Sequence, residues 1–147
     1  MTTPEQQTII GGWRLVSFEN HDGDGRVRLP YGPGPVGYIL YTADGRMSAT
    51  IMRRDRTPLA GGSRRGEATA EKACAFEEYL SYAGRYTFLG DRVIHHVEVS
   101  LWPGWVGTDL ARRAEFRDDR LILRTTPSSD VARPRTTIIT WARVATA

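Results

Sequence analysis

Residues 36–52 have the sequence VGYILYTADGRMSATIM, and this stretch decides the fold class. Two runs rich in apolar, aromatic and β-branched side chains, residues 36–42 and 46–52, lie on either side of Asp44-Gly45. An Asp-Gly pair between two such runs is the strongest short-range signal for a β-hairpin. The pattern therefore predicts two antiparallel strands joined by a tight turn.

Similar runs, separated by turns rich in Gly, Pro or Asp, cover most of the remaining chain. The predicted strands are residues 13–20, 36–42, 46–52, 85–89, 93–101, 108–116, 121–126 and 136–144. Residues 67–83 differ, because apolar side chains recur there at the helical period. This stripe consists of Ala73, Phe76, Leu80 and Ala83, and Gly84 follows it as a stop signal.

The prediction is therefore an all-β fold of eight strands, with one α-helix between the third and fourth strands. Most connections are short, so strands that are neighbours in sequence should be neighbours in space. Eight antiparallel strands can close into an up-and-down barrel, which removes exposed sheet edges and is wide enough to hold one small ligand. The length of 147 residues fits a single domain over residues 1–147.

The distribution of charge argues against one class of function, nucleic-acid binding. The net charge is +3, but the basic residues are spread along the chain rather than clustered, and Lys72 is the only lysine among 20 of them. Nucleic-acid binders usually concentrate their charge on one face or arm, so we expect no nucleic-acid partner.

Cellular context follows from the apolar runs and from the cysteine count. No apolar run is long enough to span a membrane, and the N-terminus lacks the apolar core of a secretory signal. Cys74 is the only cysteine, so no intrachain disulfide can form, and we interpret it as a half-buried residue of the helix. We expect a soluble, cytoplasmic protein.

Several motifs resemble a known family. Gly11-Gly12-Trp13 supplies a Gly-x-Trp at the start of the first strand, and Trp141-Ala142-Arg143 lies on the last strand, as in lipocalins. Matching segments also include residues 36–41 with 44–48, 82–86, 95–98 and 105–108 with Arg112. Together they are similar to the calycin-type "lipocalin-like domain" family of small bacterial and fungal proteins.

The resemblance implies a β-barrel with an internal cavity. It also implies that Arg143 packs over the face of Trp13 and joins the first and last strands at one end of the barrel. Some members of the family lie beside biosynthetic genes for polyketide-like metabolites. Related barrels serve both as carriers and as cofactor-free enzymes, so the fold does not decide the function.

The segment His95-His96-Val97-Glu98 carries candidate acid/base chemistry. Side chains alternate on a strand, so only one of the two histidines can face the interior. His96 and Glu98 share one face, which could line a polar site where a histidine moves a proton near neutral pH. The alternative is that this face is a solvent-facing polar stripe, with His95 packed inside.

Arg112 is the second candidate for chemistry. It lies on a mostly apolar face of its strand, which favours an inward orientation, and a buried guanidinium needs a partner. That partner could be a ligand carboxylate, enolate or carbonyl oxygen, or a structural carboxylate such as Glu98 or Glu115. The registers that pair Arg112 with His95 and with His96 differ by one residue, and the sequence leaves both open.

Aromatic side chains and a methionine complete the predicted ligand site. Buried phenols need hydrogen-bond partners and can orient a ligand, and a tryptophan loop could form the rim of the mouth. A simple packing role is the alternative for each of these side chains. The predicted catalytic residues are His95, His96 and Arg112, and the predicted substrate-binding residues are Glu98, Tyr38, Tyr41, Tyr86, Trp102, Trp105 and Met47.

Neither a metal nor a cofactor is expected. Adjacent histidines on a strand point apart. His96 and Glu98 could supply two ligands, but the other His and Cys residues lie at unsuitable spacings, except for His21 in a distant loop. The Gly-rich residues 30–37 lack the Lys-Ser/Thr of a phosphate loop, and the sequence has no Gly-x-Ser-x-Gly motif.

These observations predict a protein that binds a small, largely apolar, polyketide-like metabolite in the barrel lumen. In one hypothesis it is a cofactor-independent cyclase, isomerase or dehydratase of secondary metabolism. His95 or His96 would then move the proton and Arg112 would stabilise an oxyanion. In the other, it is a carrier that does no chemistry. The sequence is compatible with a homodimer.

Overall fold

The hairpin of residues 36–52 forms two adjacent strands in the computed structural model, which describes residues 8–57, 69–125 and 135–145. Val36 pairs with Met52, and Tyr41 pairs with Met47. Gly45 in the turn has a φ of +90°, a conformation that favours glycine. The predicted hairpin is confirmed.

The described elements are mostly strands, with an α-helix and a short 3-10 helix between them. In chain order they are β1 (Gly11–Asp22), β2 (Val27–Arg28), β3 (Val36–Tyr41), β4 (Arg46–Met52), α1 (Thr69–Glu77), β5 (Tyr79–Phe88), β6 (Arg92–Ser100), a short 3-10 helix (Pro103–Trp105), β7 (Asp109–Arg117), β8 (Arg120–Arg124) and β9 (Arg135–Arg143).

Eight of these strands close into a barrel. From β3 to β9 each strand pairs with the next, all antiparallel, and β1 pairs with both β3 and β9. The two-residue β2 lies outside this cycle and pairs with the end of β1. The predicted eight-stranded antiparallel barrel is confirmed, as is the position of the helix between the third and fourth barrel strands.

Side chains alternate between the interior and the outer surface of the barrel. On β6, His95 and Val97 are buried, whereas His96 and Glu98 lie on the outer face. The same alternation on the other strands builds one hydrophobic core, whose largest fully buried side chains are Trp13, Trp141, Tyr41, Ile9, Ile39, Leu121, Leu123, His95 and Val93.

One end of the barrel is closed by packing around Trp13. The guanidinium carbon of Arg143 lies 4.1 Å from the centroid of the Trp13 ring, and Trp13 Nε1 donates a hydrogen bond of 2.9 Å to the carbonyl of Ile9. The ring of Phe116 packs against Trp13 at 6.1 Å. The contact between Arg143 and Trp13 that the family resemblance implies is therefore present.

The helix and the tryptophan-containing loop lie at the opposite end. Met52 at the end of β4 pairs with Tyr79 at the start of β5, and α1 connects these two strands. The ring of Trp102, just before the 3-10 helix, packs against Phe76 of α1 at 6.1 Å. This end, which we call the mouth, is therefore framed by α1 and the loop that contains the 3-10 helix.

The predicted helix over residues 67–83 is wrong in its extent. In the described chain α1 ends at Glu77, and Leu80, Ala83 and Gly84 belong to β5. Gly84 therefore lies inside a strand and ends no helix. The tertiary context outweighs the weak helical propensity, because residues 79–88 hydrogen-bond to strands on both sides.

The described part of α1 contributes little to the core. It has no buried residue, and Cys74 is exposed rather than half-buried as predicted. Among the described residues, no helix has the length and apolar character needed to cross a membrane.

Candidate ligand-binding site

A buried histidine links two tyrosines inside the barrel. The Oη of Tyr41, on β3, lies 2.7 Å from Nε2 of His95, and the Oη of Tyr82, on β5, lies 2.8 Å from Nδ1. His95 is 0% exposed, Tyr41 2% and Tyr82 7%. Both ring nitrogens of the histidine are therefore hydrogen-bonded to phenols in the interior.

Burial determines the ionisation of this group. Burial, with smaller contributions from the charges of Arg112 and His96, lowers the pKa of His95 to about 3. Burial raises the pKa of Tyr82 to about 12, against the opposing effect of Arg112, and raises the pKa of Tyr41 well above its usual value. All three side chains are therefore neutral at pH 7.

A cavity of about 250 Å³ lies in the interior of the barrel, and Tyr82 is one of the side chains that line it. Its wall is mostly apolar, and none of the described residues that line it is Asp or Glu. These residues are Phe18, Asn20, Pro30, Tyr31, Ile39, Ala49, Ile51, Leu80, Tyr82, Trp105, Arg112, Leu123, Thr125, Thr137, Ile139 and Trp141.

Arg112 lines this cavity from β7. Its side chain lies on the inner face of the strand, as the alternation of side chains along β7 predicts. The pairing of β6 with β7 places Arg112 opposite Val93, and His95 opposite Leu110. Neither of the two registers considered from the sequence is present, because neither histidine lies directly across from Arg112. Arg112 and His95 nevertheless share the inner face of the sheet.

The guanidinium of Arg112 has no carboxylate partner in the described chain. Its Nη1 donates a hydrogen bond of 3.1 Å to the carbonyl of Ala111. Glu98 and Glu115, the structural partners that the sequence leaves open, form ion pairs with other arginines. Arg112 therefore brings a positive charge to the cavity that no described acidic side chain compensates.

Trp141 supplies a second polar group that lacks a partner in the part of the chain that the structure describes. Its side chain is 1% exposed and lines the cavity from β9, and its Nε1 is a buried donor with no hydrogen-bond partner among those residues. Buried donors in folded proteins are almost always paired, so this N–H is available to an acceptor oxygen that enters the cavity.

Three residues predicted for the site lie on the outer face of the barrel instead. His96 Nδ1 is 2.8 Å from Oδ1 of Asp109, Glu98 Oε1 is 3.2 Å from Nε of Arg85, and Tyr38 is 49% exposed. None of the three lines the interior cavity. The described residues contain no group of three or more His, Cys, Asp or Glu side chains placed to hold a metal ion.

The two tryptophans of the loop occupy different positions at the mouth. Trp105 is half-buried and lines both the interior cavity and an outer cavity of about 220 Å³. Trp102 is 51% exposed and lines only the outer cavity. Tyr31 and Leu80 also line both cavities, so these shared side chains form the partition between interior and mouth.

Tyr86 and Met47 do not line the interior cavity. Tyr86 donates a hydrogen bond of 2.7 Å from its Oη to the carbonyl of Thr42, and its ring packs edge-on against Tyr41 at 4.9 Å. Met47 is a core residue that is 3% exposed. Both side chains therefore pack in the wall near Tyr41.

Sequence reasoning missed several lining residues. Tyr82 lies within the segment that the sequence predicts as helix, whereas in the structure it is a buried residue of β5. A polar cluster near the mouth was also missed, in which the Oγ1 of Thr137 donates to Asn20 Oδ1 and its backbone N–H donates to Thr125 Oγ1. Its residues come from β1, from β9 and from the position just after β8, so no local motif marks it.

Known structures and proteins resemble this chain to different degrees. An uncharacterised protein from Bacteroides eggerthii shares 14% identity, with a TM-score of 0.46 over 92% of this chain and 99% of that protein. A mutant of the fluorescent protein UnaG shares 13% identity, with a TM-score of 0.41 over 94% of this chain and 97% of that protein.

A curated relative is more similar in sequence. The 4'-hydroxy-3'-methoxypropiophenone carrier protein ppsC of Aspergillus oryzae is 36% identical over 87 residues, which cover 54% of this chain and 78% of the relative. The family model described as "Lipocalin-like domain" matches residues 10–144. The chain therefore belongs to the lipocalin-like domain family.

Proposed function

We propose that this protein binds one small, largely apolar molecule in its barrel cavity and carries it without changing it. The observation that supports this most directly is the interior cavity of about 250 Å³ with its mostly apolar wall. Membership of a family of ligand-holding barrels and a relative named as a carrier protein support the same function.

The size of the cavity restricts the ligand. Pockets for drug-sized ligands occupy roughly 300–1,000 Å³, so a cavity of about 250 Å³ suits a smaller molecule. The relative is named for a single-ring aromatic ketone, which is a molecule of the appropriate size and polarity. We therefore take small aromatic ketones as the first ligand class to test.

A catalytic acid/base step is the second hypothesis, and the interior offers it less support. His95 has a pKa of about 3, and both of its nitrogens are engaged with tyrosines. A general acid or base works best with a pKa near the operating pH, which does not describe His95 or Tyr82. Arg112 could still stabilise an oxyanion, so product formation has to be measured together with binding.

Titration calorimetry with 4'-hydroxy-3'-methoxypropiophenone tests the proposal. We expect saturable binding of one molecule per chain, accompanied by a change in tryptophan fluorescence because Trp105 and Trp141 line the cavity. Chromatography with mass detection after long incubation should recover the ketone unchanged. Absence of saturable binding across a series of aromatic ketones would overturn the proposal, and a new product would support the catalytic hypothesis instead.

A pair of alanine variants localises the binding. Ala49 is 2% exposed and lines the cavity, whereas Ala111 is exposed on β7. Ala49→Leu should fill part of the cavity and weaken binding at least roughly tenfold, with a stability cost of about 1–3 kcal/mol from overpacking. Ala111→Leu should leave the affinity unchanged. Equal affinities of the two variants would place the ligand outside the barrel.

A further inference from the structure

We propose that Tyr82 donates its O–H to an acceptor oxygen of the ligand, and that His95 is the positioning residue that directs this donor into the cavity. His95 would carry its proton on Nδ1 and accept the O–H of Tyr41 on Nε2. This inference rests on the proposed function and deepens it, because it names the chemical group by which the ligand is recognised.

The direction of the hydrogen bonds follows from where each hydroxyl can find an acceptor. A neutral imidazole has one donor and one acceptor nitrogen, so one tyrosine must donate to His95 and the other must accept from it. The accepting tyrosine keeps an O–H that needs a further acceptor. Among the described residues, His95 Nε2 is the one acceptor within hydrogen-bond distance of Tyr41 Oη.

Tyr41 therefore has to be the tyrosine that donates. It is 2% exposed and does not line the cavity, so in the opposite arrangement its O–H would be buried without an acceptor. Leaving a buried polar group unpaired costs about 1–3 kcal/mol. Tyr82 does line the cavity, so its O–H can meet an acceptor that enters there.

The three hydrogen-bonding groups therefore form a chain in which every O–H or N–H donates in the same direction, towards the cavity. Tyr41 O–H donates to Nε2 of His95, His95 Nδ1–H donates to Tyr82 Oη, and Tyr82 O–H points to the cavity. Hydrogen bonds in such a chain polarise one another, which strengthens the last donor. His95 thus acts through Tyr82 and does not touch the ligand itself.

Two other donors face the same cavity. Within the described residues, Trp141 Nε1–H is buried without a partner and the guanidinium of Arg112 has no carboxylate partner. With no Asp or Glu among the described lining residues, the wall favours ligands that present oxygen acceptors and disfavours cations. The ligand class is therefore a small compound that presents an oxygen acceptor, and the carbonyl of an aromatic ketone is the acceptor to be tested.

The tautomer of His95 tests this hydrogen-bond arrangement in the unmodified protein. Long-range ¹H–¹⁵N correlation spectra distinguish a protonated Nδ1 from a protonated Nε2. We expect Nδ1 to be protonated and Nε2 to be unprotonated at pH 7. The reverse tautomer overturns the inference whether or not any ketone binds, so this result is independent of the proposed function.

Matched ligands and variants test the donation to the carbonyl. The probes are 4'-hydroxy-3'-methoxypropiophenone and 4-propyl-2-methoxyphenol, which has CH₂ in place of the carbonyl. Tyr82→Phe should weaken ketone binding roughly 3- to 10-fold, the effect of one hydrogen bond, and leave the affinity for the carbonyl-free compound nearly unchanged. Tyr38→Phe, on the exposed outer face, is the control and should change neither affinity.

Two binding results would overturn the inference. One is an equal loss of affinity for both compounds in Tyr82→Phe, which would mean that the phenol acts only through packing. The other is unchanged ketone affinity in a folded Tyr82→Phe protein. If the wild type binds neither compound, the carrier function fails for this ligand class, while the tautomer result still decides the direction of the chain.

Discussion

His95 illustrates how the surroundings of a single residue set its chemistry. The neighbouring His96 lies on the outer face beside Asp109, whereas His95 is fully buried between two phenols. The pKa of His95 is about 3, while a histidine in an unfolded chain has a pKa of about 6.5. Between these values the unfolded chain binds a proton that the folded chain excludes, so acidification favours unfolding.

The first prediction is a loss of stability in mild acid. The stability associated with neutral His95 is fully present above pH 6.5 and declines as the pH falls towards 3. Between pH 7.5 and pH 5 this contribution falls by about 2 kcal/mol. Urea unfolding at both values should show the loss in the wild type and in His96→Gln. His95→Gln should lack it, although that variant is less stable overall.

An NMR titration of the wild type gives an independent check on the same prediction. The side-chain resonances of His95 should keep the positions of a neutral imidazole down to pH 5. A titration midpoint near 6.5 for His95 would contradict the prediction. The same conclusion would follow if His95→Gln showed the full pH dependence of the wild type.

Alternation along β6 predicts that one histidine faces inward, but it cannot decide which face is the inner one. Both faces of β6 carry apolar residues, so hydrophobicity does not distinguish them. Val99 lies on the same face as the buried His95 and Val97, yet it is exposed. The pairing with β7 depends on the tryptophan loop, whose hydrogen bonds from Gly107 N to Val97 O and from Val97 N to Thr108 O set the register. Loop geometry of this kind has no short sequence signature, so the neighbour of Arg112 could not be predicted.

At the scale of secondary structure, β5 departs most from the sequence prediction. Its first residues, with Leu80 and Ala83, continue an apolar repeat that fits a helix, yet they pair with β4 and β6. Hydrogen bonds to two neighbouring strands and burial of Tyr82 outweigh a preference of a few tenths of a kcal/mol per residue. The hairpins with Asp-Gly and Gly-Asp turns were predictable, because their turn chemistry is local.

The second prediction concerns Gly84, which lies where the register of β5 and β6 shifts. A Cβ added at Gly84 would lie 1.9 Å from the carbonyl oxygen of His96 and 3.0 Å from the backbone nitrogen of Glu98. Because both contacts are with backbone, the strands would have to separate. Gly84→Ala should therefore cost about 3 kcal/mol of unfolding free energy, measured by urea denaturation.

Ser81→Ala in the same strand is the control for Gly84→Ala. Ser81 is half-buried, and the loss of its hydroxyl should change stability by less than about 0.5 kcal/mol. A Gly84→Ala protein with the urea midpoint of the control would show that the close approach of the two strands is not required for this fold.

At the scale of the whole molecule, the two ends of the barrel have different roles. Trp13, Arg143 and Phe116 close one end, whereas the cavity extends towards Trp105 and the mouth. The number of strands, the antiparallel order and the closed end could be predicted, because they follow from turn spacing and from the tryptophan and arginine motifs. The cavity wall could not, because its polar groups come from strands far apart in sequence.

The last prediction separates the closed end from the ligand site. Arg143 stacks on Trp13 and donates hydrogen bonds to the carbonyls of Ile10 and Thr8, so it ties the N-terminal segment to β9. Arg143→Ala should lower the unfolding free energy by about 2 kcal/mol, since it removes the cation–π contact and charged donors. The exposed Arg14 on β1 is the control, and Arg14→Ala should cost less than about 0.5 kcal/mol.

The substitution Arg143→Ala should affect ligand affinity much less than it affects stability. Arg143 does not line the cavity, so at temperatures where Arg143→Ala is fully folded its Kd for 4'-hydroxy-3'-methoxypropiophenone should stay within about twofold of the wild-type value. Calorimetric titration beside urea unfolding measures both quantities on one preparation. A tenfold loss of affinity in the folded variant would show that the packing at Trp13 shapes the ligand site as well, and that the barrel responds as one unit from its closed end to its mouth.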